Sequence, residues 1–187
     1  MTTPKILIVF HTVEGQTAKI ADRLAVTLRA LGDDVEVAPV EDSPDLTSYD
    51  GVVVGGSIHA VHHHKHLVTY LQEGATALDT MPTALFQVSL TSANPDDEHT
   101  ATAMGLVNEL TEHTEFDPDI VGLFAGALVY TKYGWIKRRI MRSIVKREGG
   151  DTDMHHDYEY TDWDAVEHFA RDVDAHVRAA SSATSDT

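Results

Sequence analysis

The chain has 187 residues, 42% of them hydrophobic, which is enough for one domain with a full core. It contains no cysteine, so disulfides, thiolate nucleophiles and Cys-ligated zinc or iron–sulfur centres are excluded. Its 14 Lys and Arg against 30 Asp and Glu give a formal net charge of -16, which argues against binding nucleic acid and favours a high-salt environment that screens the repulsion.

The sequence also argues against membrane insertion and export. No run of residues approaches the roughly 18 apolar positions of a membrane span. The N-terminus, MTTPKILIVF, lacks the charged region and the cleavage site of a signal peptide. We therefore expect a cytoplasmic protein.

Short apolar runs alternate with helical patterns along the chain. The first run, KILIVF, is continuously apolar and rich in β-branched residues, as in a strand that is buried on both faces. Strands are predicted in Lys5–Phe10, Asp34–Val40, Tyr49–Ala60, Thr83–Leu90 and Ile120–Tyr130. Apolar residues at helical spacing predict helices in Gln16–Leu31, His64–Glu73, Thr100–Glu112, Trp135–Arg147 and Asp162–Val177.

This alternation predicts an α/β fold with a doubly wound, five-stranded parallel sheet. Helices are expected on both faces, because parallel neighbours need crossover connections. No repeat or linker divides the chain, so residues 1–178 are predicted to form one domain. The small polar residues of 179–187 have nothing to bury, which predicts a flexible tail.

The segment TVEGQT, between the first strand and the first helix, has the composition of an anion-binding turn. Ligands of open α/β sheets bind beyond the carboxyl ends of the strands, where this segment lies. It lacks the Lys of a triphosphate-binding loop and the GxGxxG of a dinucleotide-binding loop. Thr12, Gly15 and Thr17 flank a helix N-terminus whose free N–H groups can hold a phosphate monoester. A purely structural turn is the alternative.

This loop resembles the phosphate loop of flavodoxins, which bind flavin mononucleotide (FMN). The resemblance implies a flavodoxin-like sheet with the strand order 2-1-3-4-5, and it implies that the loops after the third and fourth strands flank the flavin ring. The cofactor-binding residues that it implies are His11, Thr12, Val13, Glu14, Gly15, Gln16 and Thr17 in the first loop, and Ser57, Ile58, His59, Ala60, Ser89, Leu90 and Thr91 in the other two.

A longer resemblance, from Lys5 to Val173, is to the flavodoxin-type, menaquinone-dependent protoporphyrinogen IX dehydrogenases of haem synthesis. It is carried by TVEGQT, by GGSIHAVHHH with its His-x-His pair, and above all by AGALVYTKYGW and by GGDTD followed by YEYTDWDAVEHFARDV. The resemblance implies an oxidoreductase whose partners are a porphyrinogen, or another small reduced substrate, and a membrane quinone. His59 and Ala60 stand where that family has a basic and an aromatic residue, so a related flavoenzyme with another donor stays open.

The segment from Lys132 to Arg147 is basic in an otherwise acidic chain. It contains no acidic residue, and a helix would place its isoleucines on one stripe. Three interpretations stay open: packing against the acidic surface of the protein itself, binding of porphyrin carboxylates, and peripheral contact with anionic lipids at the inner face of the cell membrane. The predicted contact residues are Lys137, Arg138, Arg139, Arg142, Lys146 and Arg147.

A cluster of histidines follows the third predicted strand. Within it, His62 and His66 have the i, i+4 spacing of metal ligands, but polar lining of the flavin edge or proton transfer is the favoured role, and no metal site is predicted. His59 and His62 are the predicted catalytic bases. The alternatives from other classes are a flavodoxin-type electron carrier, a flavin-dependent quinone reductase without porphyrin activity and a flavin-free interaction domain.

Overall fold

A five-stranded parallel sheet forms the centre of the protein. The computed structural model describes residues 3–59, 62–93, 96–128 and 158–185. The strands are β1 (Lys5–His11), β2 (Asp34–Pro39), β3 (Gly51–Ser57), β4 (Thr83–Ser89) and β5 (Ile120–Ala125), and their spatial order is β2-β1-β3-β4-β5. The predicted sheet and its strand order are confirmed.

Helices cover both faces of this sheet. In the described residues they are α1 (Gln16–Leu31), α2 (Lys65–Leu78), α3 (Asp97–Thr114) and α4 (Trp163–Ser185). α1 and α4 form one core with the sheet, and α2 and α3 form the other. Along β1, Ile6 and Ile8 pack into the first core while Leu7 and Val9 pack into the second. Because side chains alternate between the faces, this strand has to be apolar throughout.

The fifth strand is shorter than the sequence predicts. It ends at Ala125, where Gly126 N–H donates to Ser89 O over 3.0 Å. The chain then enters a separate short strand, β6 (Ala127–Leu128), which pairs antiparallel with β7 (Tyr158–Glu159). Residues 120–128 therefore form two elements rather than one.

The last helix is longer than predicted. The expected end at Val177 is wrong, because α4 continues to Ser185 through most of the predicted tail. The hydroxyls of Ser181 and Ser182 donate to the carbonyls four residues earlier, which gives these polar side chains partners inside the helix. No helix in the part of the chain that is described is both long and apolar enough to cross a bilayer. The predicted helix Trp135–Arg147 lies outside the described residues.

The strand register brings the carboxyl ends of the strands level. His11 pairs with Gly56, and Ser89 pairs with Ala125. The loops after β1, β3 and β4 consequently leave the sheet at one edge. Glycine is needed at the end of β3, because a Cβ on Gly55 would lie 2.2 Å from the Cζ of the buried Phe86.

Candidate functional site

The loop between β1 and α1 forms a tight turn that depends on Gly15 and Thr12. Gly15 has φ 97°, in the left-handed region that favours glycine. Its N–H donates to Thr12 Oγ1 over 3.0 Å, which closes a tight turn. A Cβ built on Gly15 would meet nothing within 4 Å, so space remains beside this backbone.

The N-terminus of α1, at the end of this loop, lacks the usual protein partners. In the described structure no side chain caps it, and its first turn contains no acidic residue. Thr17 is 1% exposed, yet its Oγ1 has no hydrogen-bond partner among the described residues. Unpaired N–H groups, the positive end of the helix dipole and a buried hydroxyl together suit an anion.

The side chain of Gln16, in the same first turn, forms a hydrogen bond within the protein. Its Nε2 donates to Thr161 Oγ1 over 2.9 Å, and that hydroxyl donates to Ala125 O over 2.7 Å. The side chain of Gln16 thus joins the start of α1 to the end of β5.

The predicted Ser57 is the last residue of β3, Ile58 and His59 follow it, and Ala60 lies outside the described residues. Ile58 N–H donates to Val88 O over 2.9 Å, and His59 forms an isolated antiparallel bridge with His62. The Oγ of Ser57 is buried and has no partner within the described ranges. The end of β3 therefore offers a second polar atom at the same edge of the sheet.

The loop after β4 is more fully paired. Ser89 Oγ lies 2.8 Å from Ser92 Oγ and accepts from Ser92 N–H over 3.2 Å. Leu90 precedes the 3-10 turn Thr91–Ala93, and both Leu90 and Thr91 are half-buried. The three predicted loops lie at one edge, as the resemblance implied, and their contacts with a cofactor stay a prediction.

The predicted catalytic histidines are both on the surface. His59 is exposed, and the His62 side chain is 72% exposed with its Nδ1 3.7 Å from Glu109 Oε1. Their neighbour His63 is half-buried, with both ring nitrogens shielded from solvent, and this desolvation lowers its pKa to about 4. A cavity of about 120 Å³ lies beside it, lined by His62, His63, Val68, Leu106, Glu109, Leu110 and His113. His63 is thus neutral at physiological pH, and the roles of His59 and His62 stay predictions.

The structure joins His64 and His66, from the predicted histidine cluster, to His11 and Glu41 at the carboxyl edge, a grouping that sequence reasoning missed. His11 Nδ1 lies 2.7 Å from Glu41 Oε1, and His66 Nδ1 lies 3.3 Å from the same oxygen. The ring of His64 stacks on that of His11 at 3.8 Å between centroids. Glu41 is 30 residues from His11 in the chain, so no local spacing reveals the group.

Comparison with known proteins then decides the family. A flavodoxin-domain model matches residues 7–155. The protoporphyrinogen IX dehydrogenase (quinone) of Escherichia coli strain K12 is 37% identical over 175 residues, which cover 92% of this chain and 96% of that protein. The chain belongs to this flavodoxin-domain family of protoporphyrinogen IX dehydrogenases. A family member from Leishmania major is 36% identical over 179 residues, which cover 92% of this chain and 76% of the Leishmania protein.

Solved structures agree on the fold of this dehydrogenase family member. The two-electron reduced flavodoxin of Megasphaera elsdenii aligns with a TM-score of 0.50 and 18% identity, over 63% of this chain and 84% of the flavodoxin. Rubredoxin:oxygen oxidoreductase of Desulfovibrio gigas aligns with a TM-score of 0.53 and 13% identity, over 95% of this chain and 37% of that one. The flavodoxin-like fold that the sequence predicts is confirmed.

Proposed function

We propose that this protein is an FMN-dependent oxidoreductase that oxidises protoporphyrinogen IX to protoporphyrin IX and passes the electrons to a quinone. The observation that carries the proposal is the identity of 37% with a named protoporphyrinogen IX dehydrogenase (quinone), which extends over 92% of this chain. The flavodoxin domain and the open N-terminus of α1 support FMN as its cofactor.

The residues at the carboxyl edge fit this cofactor. The N–H groups at the start of α1 and the hydroxyl of Thr17 would hold the phosphate, since the protein gives them no other partner within the described residues. Thr12 accepts from Gly15 and fixes the turn that presents those groups. The loops Ser57–Ala60 and Ser89–Thr91 would flank the ring and limit its contact with water. When bound, FMN supplies the electron chemistry.

Removal of hydrogen from the substrate also requires a group that accepts protons. We propose His59 and His62 for this role, because both lie in the loop after β3 and both are accessible to a substrate. His59→Gln and His62→Gln should each change the pH profile of kcat, measured on protein saturated with FMN so that any loss of cofactor affinity does not enter the profile. Identical pH profiles in wild type and both variants would remove them from the mechanism.

We further propose that the protein is cytoplasmic and meets its quinone by peripheral contact with the inner face of the cell membrane. The support is the acid-free basic run from Lys132 to Arg147, where each Lys or Arg near an anionic surface is worth roughly 1 kcal/mol. The test replaces Lys137, Arg138, Arg139 and Arg142 by Gln and measures sedimentation with phosphatidylglycerol vesicles. Lys19, Arg23, Lys65 and Arg171 replaced by Gln form the matched control. Equal binding by both variants would contradict the membrane contact.

The activity is tested anaerobically. Purified protein, FMN, protoporphyrinogen IX and a quinone are mixed, and porphyrin fluorescence is followed over time. Fluorescence should grow only when FMN and quinone are both present. FMN binding without porphyrin formation would overturn the proposed substrate and favour an electron carrier or quinone reductase.

A double variant connects this activity to the phosphate loop. Gly15→Val combined with Thr17→Val places a β-branched residue at φ 97° and removes the unpaired hydroxyl. FMN retention and porphyrin formation should both be lost, with the circular dichroism of the fold retained. Normal FMN content in this variant would contradict the proposed phosphate site.

A further inference from the structure

Three separate chain segments place metal-binding side chains at one point of the carboxyl edge. His11 is the last residue of β1, Glu41 lies in the 3-10 turn Val40–Asp42 that follows β2, and His64 and His66 lie at the start of α2. Each of the four offers one ligand atom, and these atoms all lie within 4.8 Å of one another. The fold, and no local motif, brings them together.

The geometry within the cluster is close to that of a bound ion. Glu41 Oε1 lies between His11 Nδ1 at 2.7 Å and His66 Nδ1 at 3.3 Å. In a tetrahedral zinc site, bonds of about 2.0–2.1 Å set ligand atoms roughly 3.3 Å apart. The rings of His64 and His66 are 4.8 Å apart at their centroids and nearly perpendicular. A tetrahedral shell would require His64 to turn away from its stack on His11 and the exposed side chains of Glu41 and His66 to move closer together.

The partners of these side chains are incomplete without an ion. Glu41 Oε1 lies close to the Nδ1 atoms of His11 and His66, and the ring of His64 stacks on that of His11. Positive charge on all three rings would therefore place like charges side by side. His11 is 8% exposed, and its Nε2 is buried with no partner in the described part of the chain. A divalent cation shared among neutral imidazoles and one carboxylate removes the repulsion between the rings, because each coordinating lone pair then faces positive charge, while the second nitrogen of each ring keeps its proton.

We propose that His11, Glu41, His64 and His66 form a four-ligand Zn²⁺ site beside the cofactor loop. Imidazole nitrogen with one carboxylate oxygen suits Zn²⁺ and related first-row metals, whereas Mg²⁺ and Ca²⁺ prefer shells made of oxygen. Four protein ligands leave no open position, so the metal has a structural role. The inference does not depend on the proposed function.

The metal ties together segments that are far apart in the chain. Its bonds join His11 to Glu41 across 30 residues and Glu41 to His66 across 25 residues. His11 is followed directly by the turn from Thr12 to Gly15, so the ion also fixes the entry to the phosphate loop. Because binding requires the folded arrangement, Zn²⁺ should raise the melting temperature in proportion to the logarithm of its concentration above Kd.

The test uses tag-free full-length protein, stripped with a chelator and titrated with Zn²⁺ by isothermal calorimetry. We expect one tight site per chain, and we expect Glu41→Gln and His66→Gln each to weaken it at least tenfold. His168→Gln, an exposed histidine on α4, is the matched control and should bind like wild type. Equal affinity in wild type, Glu41→Gln and His66→Gln would overturn the site.

A second measurement separates loss of ligands from loss of folding. Co²⁺ in the wild-type protein should give the intense visible absorption of a tetrahedral site, and Zn²⁺ in equimolar amounts should abolish it. Weak octahedral-type absorption, or stabilisation by Mg²⁺ equal to that by Zn²⁺, would contradict the proposal. The FMN content of each variant is measured in parallel, so failure of the metal site and failure of the cofactor site are distinguishable.

Discussion

The two ends of α1 differ in whether their terminal groups have partners within the protein. At its C-terminus Gly32, with φ 100°, and Asp33 donate their N–H groups to carbonyls of the last turn. Arg178, on α4, adds a bond to Leu31 O over 3.2 Å and an ion pair to Asp33. At its N-terminus no described side chain caps the helix, and Thr17 Oγ1 has no partner within the described residues.

This difference is not a general property of the helices. α3 begins with Asp96, whose Oδ1 accepts from His99 N–H over 2.8 Å, and Asp97 and Glu98 follow in its first turn. A chain with a net charge of -16 has thus placed acids at one helix start and none at the other. The C-terminus of α1 is completed by protein groups, whereas the N-terminus is the end that we propose to bind the phosphate of the cofactor.

The largest effect is expected at the N-terminus of α1, from Thr17→Val. Loss of a hydrogen bond to a charged phosphate costs about 1.5–3 kcal/mol, which raises the Kd for FMN roughly 10- to 100-fold. The FMN-free protein should become more stable by about 1 kcal/mol, because a buried hydroxyl without a partner is removed. Fluorescence titration and urea denaturation measure the two changes. A fall in stability without FMN would show that the hydroxyl has a protein partner.

Arg178→Met, at the C-terminus of α1, should lower the stability of the protein and leave its affinity for FMN unchanged. It removes the cation that pairs with the buried Asp33 carboxylate, at a cost of about 2 kcal/mol in the free energy of unfolding. The figure is below that of a fully buried pair because the Arg178 side chain is 38% exposed. Urea denaturation gives the change in stability, while the Kd for FMN should stay at the wild-type value. A comparable loss of FMN affinity would mean that the two ends are coupled.

Asp33, at the C-terminus of α1, should also make the stability of the protein depend on pH. Burial, together with the nearby Asp174, raises the pKa of Asp33 from 3.8 to about 6 although Arg178 opposes the change. The folded state then binds the proton more tightly than the unfolded state, so protonation stabilises the fold, and this stability is lost as pH rises from about 4 to about 7. Between pH 5 and 7 this amounts to about 1 kcal/mol. Asp33→Asn should reduce the change in the free energy of unfolding between pH 5 and 7 by about 1 kcal/mol, as measured by urea denaturation. An unchanged pH dependence of stability in this variant would contradict the role of Asp33.

The smallest effect is expected from Ala18→Glu, which gives α1 the first-turn acid that it lacks. The carboxylate should stabilise the FMN-free protein by about 0.5 kcal/mol through the helix dipole and weaken FMN binding by repelling the phosphate. Ala18→Gln, with the same shape and no charge, is the control. If both variants bind FMN alike, charge at this helix start does not govern cofactor affinity.

Most element positions followed from local patterns, and the errors have local causes. α1 was predicted at its observed bounds, because its glycines at Gly15 and Gly32 mark both ends. Apolar spacing predicts the start of α3 at Thr100, three residues late, because the cap provided by Asp96 is not part of that spacing. α2 runs on to Leu78, where the sequence prediction stopped at Glu73. Helix ends depend on capping contacts, which periodicity does not report.

The sequence by itself determined the alternation of strands and helices, and it was enough to predict an anion-binding turn at TVEGQT. Both depend on residues that are neighbours in the chain, where spacing and residue type are enough. Only the tertiary structure decided that Glu41 meets His11 and His66, that Arg178 closes the far end of α1, and that Gln16 is bound by Thr161. These contacts join residues 25 to 145 positions apart, so they depend on sheet register and helix packing, which local sequence does not encode.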